Sequence, residues 1–107
     1  MKIIYYIGQK IDSDTIVKKG ILNDDTQQMF IEGTEGKYKF HDIRQVDIVK
    51  INYLGTMVKV INGKDTVFLA VPRIFINKGT GFAIINYFAT KKIGKLLSLA
   101  MHYQKDE

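Results

Sequence analysis

The sequence has 107 residues, the length of one domain, and its 46% apolar and 25% charged residues are those of an ordinary globular protein. It contains no cysteine, which excludes disulfides, thiolate metal sites and cysteine nucleophiles. The net charge is +5, from 16 Lys and Arg against 11 Asp and Glu, which mainly indicates a solvated lysine-rich surface, with anionic partners as the alternative for the basic last third. We therefore expect a single domain spanning 1–107.

The N-terminal segment carries a short apolar run. This run extends from Ile3 to Ile7 and is followed by Gly8. It is far too short for a signal-peptide core or a membrane-spanning helix. Together with the missing cysteines, this predicts a cytoplasmic protein. Residues 1–14 are predicted as a possible peripheral N-terminal strand, and fraying or docking on a partner remains open.

Turn residues at short, regular intervals predict an antiparallel β domain over residues 15–87. Thr15 to Leu22 and Gln28 to Ile31 form the first predicted hairpin, joined by Asn23 to Thr26. After the turn Gly33 to Gly36, the chain alternates between aromatic and polar residues, which predicts a strand with one buried face.

In that strand, Tyr38 and Phe40 take one face, and Lys39 and His41 take the other. Ile43 to Tyr53 is rich in β-branched residues, which favours a further strand over a helix.

Asn62-Gly63 predicts a hairpin between Met57 to Ile61 and Thr66 to Val71. Pro72 cannot donate to a ladder, so the strand ends, bulges or lies at a sheet edge there, and Ile74 to Ile76 continues it. Asn77 to Gly81 is a predicted loop.

A C-terminal amphipathic helix is predicted over 90–103, with Thr90 as its N-cap. The apolar residues recur at helical spacing on one stripe: Ile93, Leu96, Leu97, Ala100 and Met101. Phe82 to Ala89 is apolar on every side; a last buried strand is preferred, and a helix longer by two turns is the alternative.

About seven strands followed by a helix form the element order of the pleckstrin-homology-like superfold. Lys19 to Leu22, then Met29 to Ile31, then Tyr38 to Ile43 with Val46 following, resemble the small bacterial pleckstrin-homology-like and GRAM-like domains. The resemblance implies two nearly orthogonal sheets in a splayed barrel, with the helix covering one open end, and a tendency to self-associate.

The sequence departs from the phosphoinositide-binding members of that superfold, which share a basic cluster across the first two strands. Lys18 and Lys19 are present, but Gln27 to Glu32 offers no basic partner. The resemblance therefore does not extend to recognition of an inositol lipid.

The residues predict no catalytic site and no enzyme. His41 and His102 are the only imidazoles, and no nucleophile accompanies either. Asp42 would point to the opposite face of a strand from His41, and His102 lies where a cation favours the helix dipole.

No metal or cofactor site is predicted. Asp12 with Asp14, and Asp24 with Asp25, lack the further oxygen ligands of a calcium loop, and the second pair is typical of a turn. Lys78 to Gly81 lacks the context of a P-loop and is interpreted as a hairpin turn rather than a phosphate site.

Four lysines are the candidate anion or membrane contacts: Lys78, Lys91, Lys92 and Lys95. They lie in Ile76 to Gln104, which contains no carboxylate. Lysines interleaved with Tyr5, Tyr6, Tyr38 and Tyr53 leave single-stranded nucleic acid as a further, less favoured ligand.

The sequence thus predicts a non-catalytic binding or assembly module. The preferred mechanism is association with another protein or another copy of the chain, through sheet edges around Pro72 or the first strand. The alternatives are peripheral binding to an anionic membrane and binding of single-stranded nucleic acid.

Overall fold

The computed structural model describes residues 1–12, 15–51, 55–76 and 82–105, with only the backbone of 74–76 and 82–84. Predictions that concern Asp14, Tyr53 and Lys78 to Gly81 lie outside these residues. The elements in chain order are β1 (Lys2–Ile7), β2 (Lys18–Asn23), β3 (Phe30–Gly33), β4 (Gly36–Lys39), β5 (Ile43–Ile51), β6 (Gly55–Asn62), β7 (Asp65–Ala70), β8 (Pro72–Ile76), β9 (Phe82–Ile85) and α1 (Tyr87–Lys105).

Seven strands form one antiparallel sheet in the order β4-β3-β2-β1-β7-β6-β5, and it curls into a half-barrel. β8 and β9 pair in a separate two-stranded sheet, with a register shift between Pro72 and Ile74. The predicted mainly β architecture of about seven antiparallel strands with one C-terminal helix is confirmed.

The curl of the sheet follows from its strand order. β4 and β5 are the two edges, yet they are consecutive in the chain and only residues 40–42 join them. A flat sheet of seven strands would hold its outer strands roughly 29 Å apart, at about 4.8 Å per neighbouring pair. The connection reaches at most about 14 Å, so the sheet must bend until its two edges meet at this corner.

β1 is a central strand, and the prediction of a peripheral segment was wrong. It pairs with β2 on one side and with β7 on the other, and Ile3, Ile4 and Tyr5 are buried. The apolar run that is too short to span a membrane is thus long enough for a strand buried on both faces.

The sheet packs apolar side chains on both faces, because alternate residues of each strand point to opposite sides. Ile3 and Tyr5 face the helix side, where they join Ile93, Leu97 and Ala100 of α1 in the main core. Ile4 faces the other side, which holds a smaller cluster. The residues packed around that second cluster include Ile11, Val17 and Ile85.

The predicted hairpin between β6 and β7 is confirmed, with Gly63 and Lys64 at the centre of its turn. Asn62 pairs with Asp65, and Gly63 has a φ of 59°. A positive φ at the first central position is the requirement that glycine meets in a type II′ turn.

The helix begins three residues earlier than predicted, and Asn86 rather than Thr90 is its N-cap. The Asn86 side-chain oxygen accepts a hydrogen bond from the backbone N–H of Ala89 at 3.1 Å. Thr90 is buried within the first turn, where its hydroxyl accepts a bond from the N–H of Val71 at 3.0 Å. Phe82 to Ala89 is therefore part strand and part helix.

Two side-chain amides hold the corner between β4 and β5. The buried Asn62 accepts from the N–H of Asp42 at 2.9 Å and donates to the carbonyl of Lys39 at 2.9 Å. Gln104 of α1 donates to the carbonyl of Phe40 and accepts from the N–H of Ile43, both at 2.7 Å. Four backbone polar groups of the corner are thus satisfied by side chains, as groups withdrawn from water require.

Tyr38 extends this network to the β6–β7 hairpin. Its hydroxyl accepts from the Asn62 amide at 3.0 Å and donates to the Asp65 carboxylate at 2.9 Å. Burial raises the pKa of the Tyr38 phenol to about 12; the Asn62 hydrogen bond opposes this shift and Asp65 adds to it.

We predict that Leu97→Asp unfolds the domain, because Leu97 is fully buried between α1 and the sheet. An unpaired carboxylate there costs about 4 kcal/mol or more of unfolding free energy. Leu99→Asp makes the same change two residues along α1 at a half-exposed position and should cost less than about 1 kcal/mol. Circular dichroism with urea titration measures both; equal stability would contradict docking of α1 through Leu97.

Asn62→Ala should lower the free energy of unfolding by about 2–4 kcal/mol, because it leaves the Asp42 N–H and the Lys39 carbonyl without partners. The matched change Asn23→Ala removes an amide oxygen bonded only in an exposed turn, and should cost less than about 1 kcal/mol. Urea unfolding measures the loss of unfolding free energy in each variant. Similar losses in both would mean that the corner does not depend on Asn62.

The raised pKa of Tyr38 leads us to predict that the free energy of unfolding falls in alkaline solution. Since the folded-state pKa of about 12 lies above the ordinary 10.0, the folded protein holds this proton longer than the unfolded chain. The resulting stabilisation is complete below pH 10.0 and is lost as the pH rises through about 12. In Tyr38→Phe, the decline of unfolding free energy over this interval should be shallower; parallel curves for the two proteins would refute the contribution.

Candidate functional site

Three of the four candidate lysines lie together on α1. Lys91, Lys92 and Lys95 are exposed, as the helical spacing predicts, while Ile93 and Leu97 on the opposite side of the helix are buried. Lys78 lies outside the described residues, so its position relative to the other three stays a prediction.

A groove of about 600 Å³ lies along the junction of α1 with the edge strand β5. Ile48 lies on the strand side and is 46% exposed, and Leu99 lies on the helix side. Gly94 brings the helix close to the strand, since a Cβ on it would lie 2.8 Å from the Ile48 Cδ1. The other lining residues are Val46, Lys91, Lys95, Ser98 and His102.

The open edges of the large sheet are β4 and β5. The first strand, predicted as an edge, is paired on both sides, so that part of the prediction was wrong. Pro72 begins β8, whose described partner is β9 alone. β5 is the longest described strand, with nine residues, and it presents the longest unpaired row of backbone groups.

An exposed aromatic pair at the start of α1 was missed in the sequence. Tyr87 and Phe88 contact each other edge to face with ring centroids 5.4 Å apart, and the Lys91 Nζ lies 5.3 Å from the Tyr87 ring centroid. Phe88 is 78% exposed. Asn86, a favoured N-cap residue directly before them, was the signal that places both rings on the helix.

The imidazole and carboxylate candidates do not converge. His41 lies in the β4–β5 connection, exposed, with its Nδ1 3.3 Å from the Lys39 carbonyl. Asp42 is paired with Arg44 at 3.2 Å. His102 is exposed in the last turn of α1, as predicted.

Asp12 and Asp25 lie between strands, and each accepts a local hydrogen bond. Asp12 accepts a hydrogen bond from the Thr15 hydroxyl at 3.1 Å, and Asp25 accepts one from the N–H of Gln27 at 3.0 Å. The turn assignment of Asp25 is therefore confirmed. Among the described residues, no group of three or more His, Asp or Glu side chains could hold a metal ion.

The tyrosines that were considered as stacking platforms for single-stranded nucleic acid are, where the structure describes them, used in packing. Tyr5 is buried in the main core and Tyr6 packs on the opposite face of the sheet. Tyr38 is half-buried against Phe40 and bonded to Asp65. These rings do not share one exposed surface.

A second groove of about 670 Å³ lies over β1, β2 and β3 beside Pro72. Its lining includes Lys2, Lys19 and Arg73 together with Glu32. Its charges are mixed, whereas the α1 face carries lysines alone.

In the part of the chain that the structure describes, no helix is long and apolar enough to cross a membrane. Comparison of the chain with family models, curated proteins and solved structures finds no match. Function is therefore inferred from the geometry of the β5 edge and of α1.

Proposed function

We propose that the chain is a non-catalytic assembly module that associates with a second copy of itself through the open edge of β5. The observation that carries the proposal is the length of this edge strand, Ile43–Ile51, which is hydrogen-bonded to β6 on one side only. Unpaired backbone donors and acceptors in such a strand are a template for strand addition.

The groove beside β5 supports the same proposal. A strand added to this edge would place every second side chain over the apolar strip formed by Val46, Ile48 and Leu99. The pairing would thus extend the main core and bury Ile48, in addition to satisfying backbone hydrogen bonds.

Symmetry and charge select one register for two copies of β5. In an antiparallel pair related by a twofold axis, one residue lies opposite itself. Pairing with β6 is regular from Gln45 to Ile51, and the centre of that stretch is Ile48. Centring on Asp47 would oppose two carboxylates, which is destabilising. The register centred on Ile48 joins the two apolar grooves across the axis.

The element order gives further support. An antiparallel sheet of seven strands followed by a helix packed on one face is the order on which the resemblance to small bacterial pleckstrin-homology-like domains rests, and self-association is expected of that class. The hairpin of β8 and β9 between β7 and α1 is an addition to that order. A cytoplasmic location accompanies the proposal and is supported by the cysteine-free sequence.

We predict a dimer by light scattering over a range of protein concentrations, and one that resists high salt because its contacts are backbone hydrogen bonds and apolar groups. Ile48→Lys should give a monomer by placing two ammonium groups face to face on the axis. Ile21→Lys is the matched control, since Ile21 is similarly exposed but lies on β2, which is paired on both sides.

The register can be tested in the same chain. Because the protein has no cysteine, Ile48→Cys gives a single thiol that should form a disulfide across the axis under mild oxidation, whereas Ile21→Cys should not. A wild-type monomer at all concentrations, or a dimer unchanged by Ile48→Lys, would overturn the proposal.

A further inference from the structure

The solvent-facing side of α1 has an arrangement that core packing does not require. Phe88, Lys92, Lys95, Leu99 and Tyr103 follow one another at intervals of three or four residues, which aligns them along the outer face. All five are exposed, and the line from Phe88 to Tyr103 is roughly 22 Å long at about 1.5 Å per residue. Apolar groups lie at both ends of this line, and lysines lie between them.

The formally charged side chains of α1 are all positive. Its 19 residues include Lys91, Lys92, Lys95 and Lys105 and no carboxylate. In the sequence, Asp106 and Glu107 follow at the end opposite to Phe88. The outer face therefore complements an extended anionic surface, and its first half does so most strongly.

Phe88 and Tyr87 add an apolar contact at the same end. Phe88 is the most exposed aromatic ring among the described residues, and it lies one helical turn from Lys91 and Lys92. An exposed aromatic ring beside lysines is the pattern of a group that enters the boundary between lipid headgroups and acyl chains.

We propose that the outer face of α1 is a docking surface for an anionic lipid bilayer, on which the helix lies flat with Phe88 inserted at the interface and Lys91, Lys92 and Lys95 at the headgroups. This surface borders the groove beside β5, which Lys91, Lys95 and Leu99 also line, whereas Phe88 and Lys92 lie outside that groove. The aliphatic Leu99 on the same line favours a bilayer over single-stranded nucleic acid, because bases are held by stacking on planar rings.

Vesicle sedimentation tests the charge requirement. The wild type should bind phosphatidylcholine vesicles increasingly as phosphatidylserine is added, and less as salt is raised. The triple variant Lys91→Gln, Lys92→Gln, Lys95→Gln should bind roughly a hundredfold more weakly, since each lysine near an anionic surface contributes about a fivefold factor.

A second triple variant controls for net charge. Lys2→Gln, Lys37→Gln and Lys64→Gln remove three exposed lysines from outside α1 and give the same net charge. This variant should bind within about fivefold of the wild type. An equal loss in the two triple variants would show that only overall charge attracts the protein, and would overturn the docking surface.

Insertion can be followed by fluorescence, because the chain contains no tryptophan. The Phe88→Trp variant should show a blue shift of its emission on addition of phosphatidylserine-containing vesicles. Ile16→Trp is the control: Ile16 is 83% exposed and is followed by Val17, which packs on the sheet face opposite α1, so its emission should stay unchanged.

Three results would reject bilayer docking. They are no sedimentation with phosphatidylserine-rich vesicles at low salt, no blue shift of the Phe88→Trp indole on binding, and tighter binding of a single-stranded oligonucleotide than of vesicles. The last result would identify single-stranded nucleic acid, not a bilayer, as the ligand of the α1 lysines. Urea unfolding of each variant confirms that binding is compared between folded proteins.

Discussion

The fold depends on the corner at which the chain passes from β4, one edge of the sheet, to β5, the other edge. A three-residue connection can join the two edges only if the sheet is strongly curved. Curvature gives the sheet a concave face that α1 fills with Ile93 and Leu97. The amides of Asn62 and Gln104 bind the corner backbone from a hairpin and from the helix, respectively. Curvature, helix docking and hairpin position are thus linked through a few buried hydrogen bonds.

Much of this architecture could be predicted from the sequence, because it depends on local patterns. The stripe of α1, the Gly63 turn and the alternation of Tyr38 and Phe40 each reflect the period of one element. The bounds of α1 were missed because Tyr87 and Phe88 are apolar and continue the pattern of β9. Their exposure is decided by the cap at Asn86, whose effect extends over a single turn.

The place of β1 could not be predicted by such patterns. Its residues indicate a strand, but which strands it pairs with is decided by β7, more than sixty positions later in the chain. The same limit applied to the candidate sites, because only those formed within one element could be predicted from local patterns. The lysines of α1 were found because they share a helix, whereas the groove at Ile48 exists only when β5 and Gly94 come together.

The two proposed surfaces occupy the periphery because the sheet has little free apolar area elsewhere. Apolar side chains pack on both of its faces, from α1 on one and from Ile11, Val17 and Ile85 on the other. The two grooves described above are open to solvent, and the two proposed surfaces are the edge strand and the outside of the helix. The first suits a partner that supplies a strand, and the second suits an extended charged surface.

The central position of β1 also has a kinetic consequence. Ile4 pairs with Ala70, so the ladder that unites the β1–β4 meander with the β5–β7 meander closes a loop of about 66 residues. Such closure carries a large entropic cost before any contact rewards it, and proteins dominated by distant pairings fold slowly. During synthesis, β1 leaves the ribosome before β7 and cannot form this pairing until β7 follows. Until then its apolar side chains are exposed along an unpaired edge, the state in which a nascent chain most needs protection from aggregation.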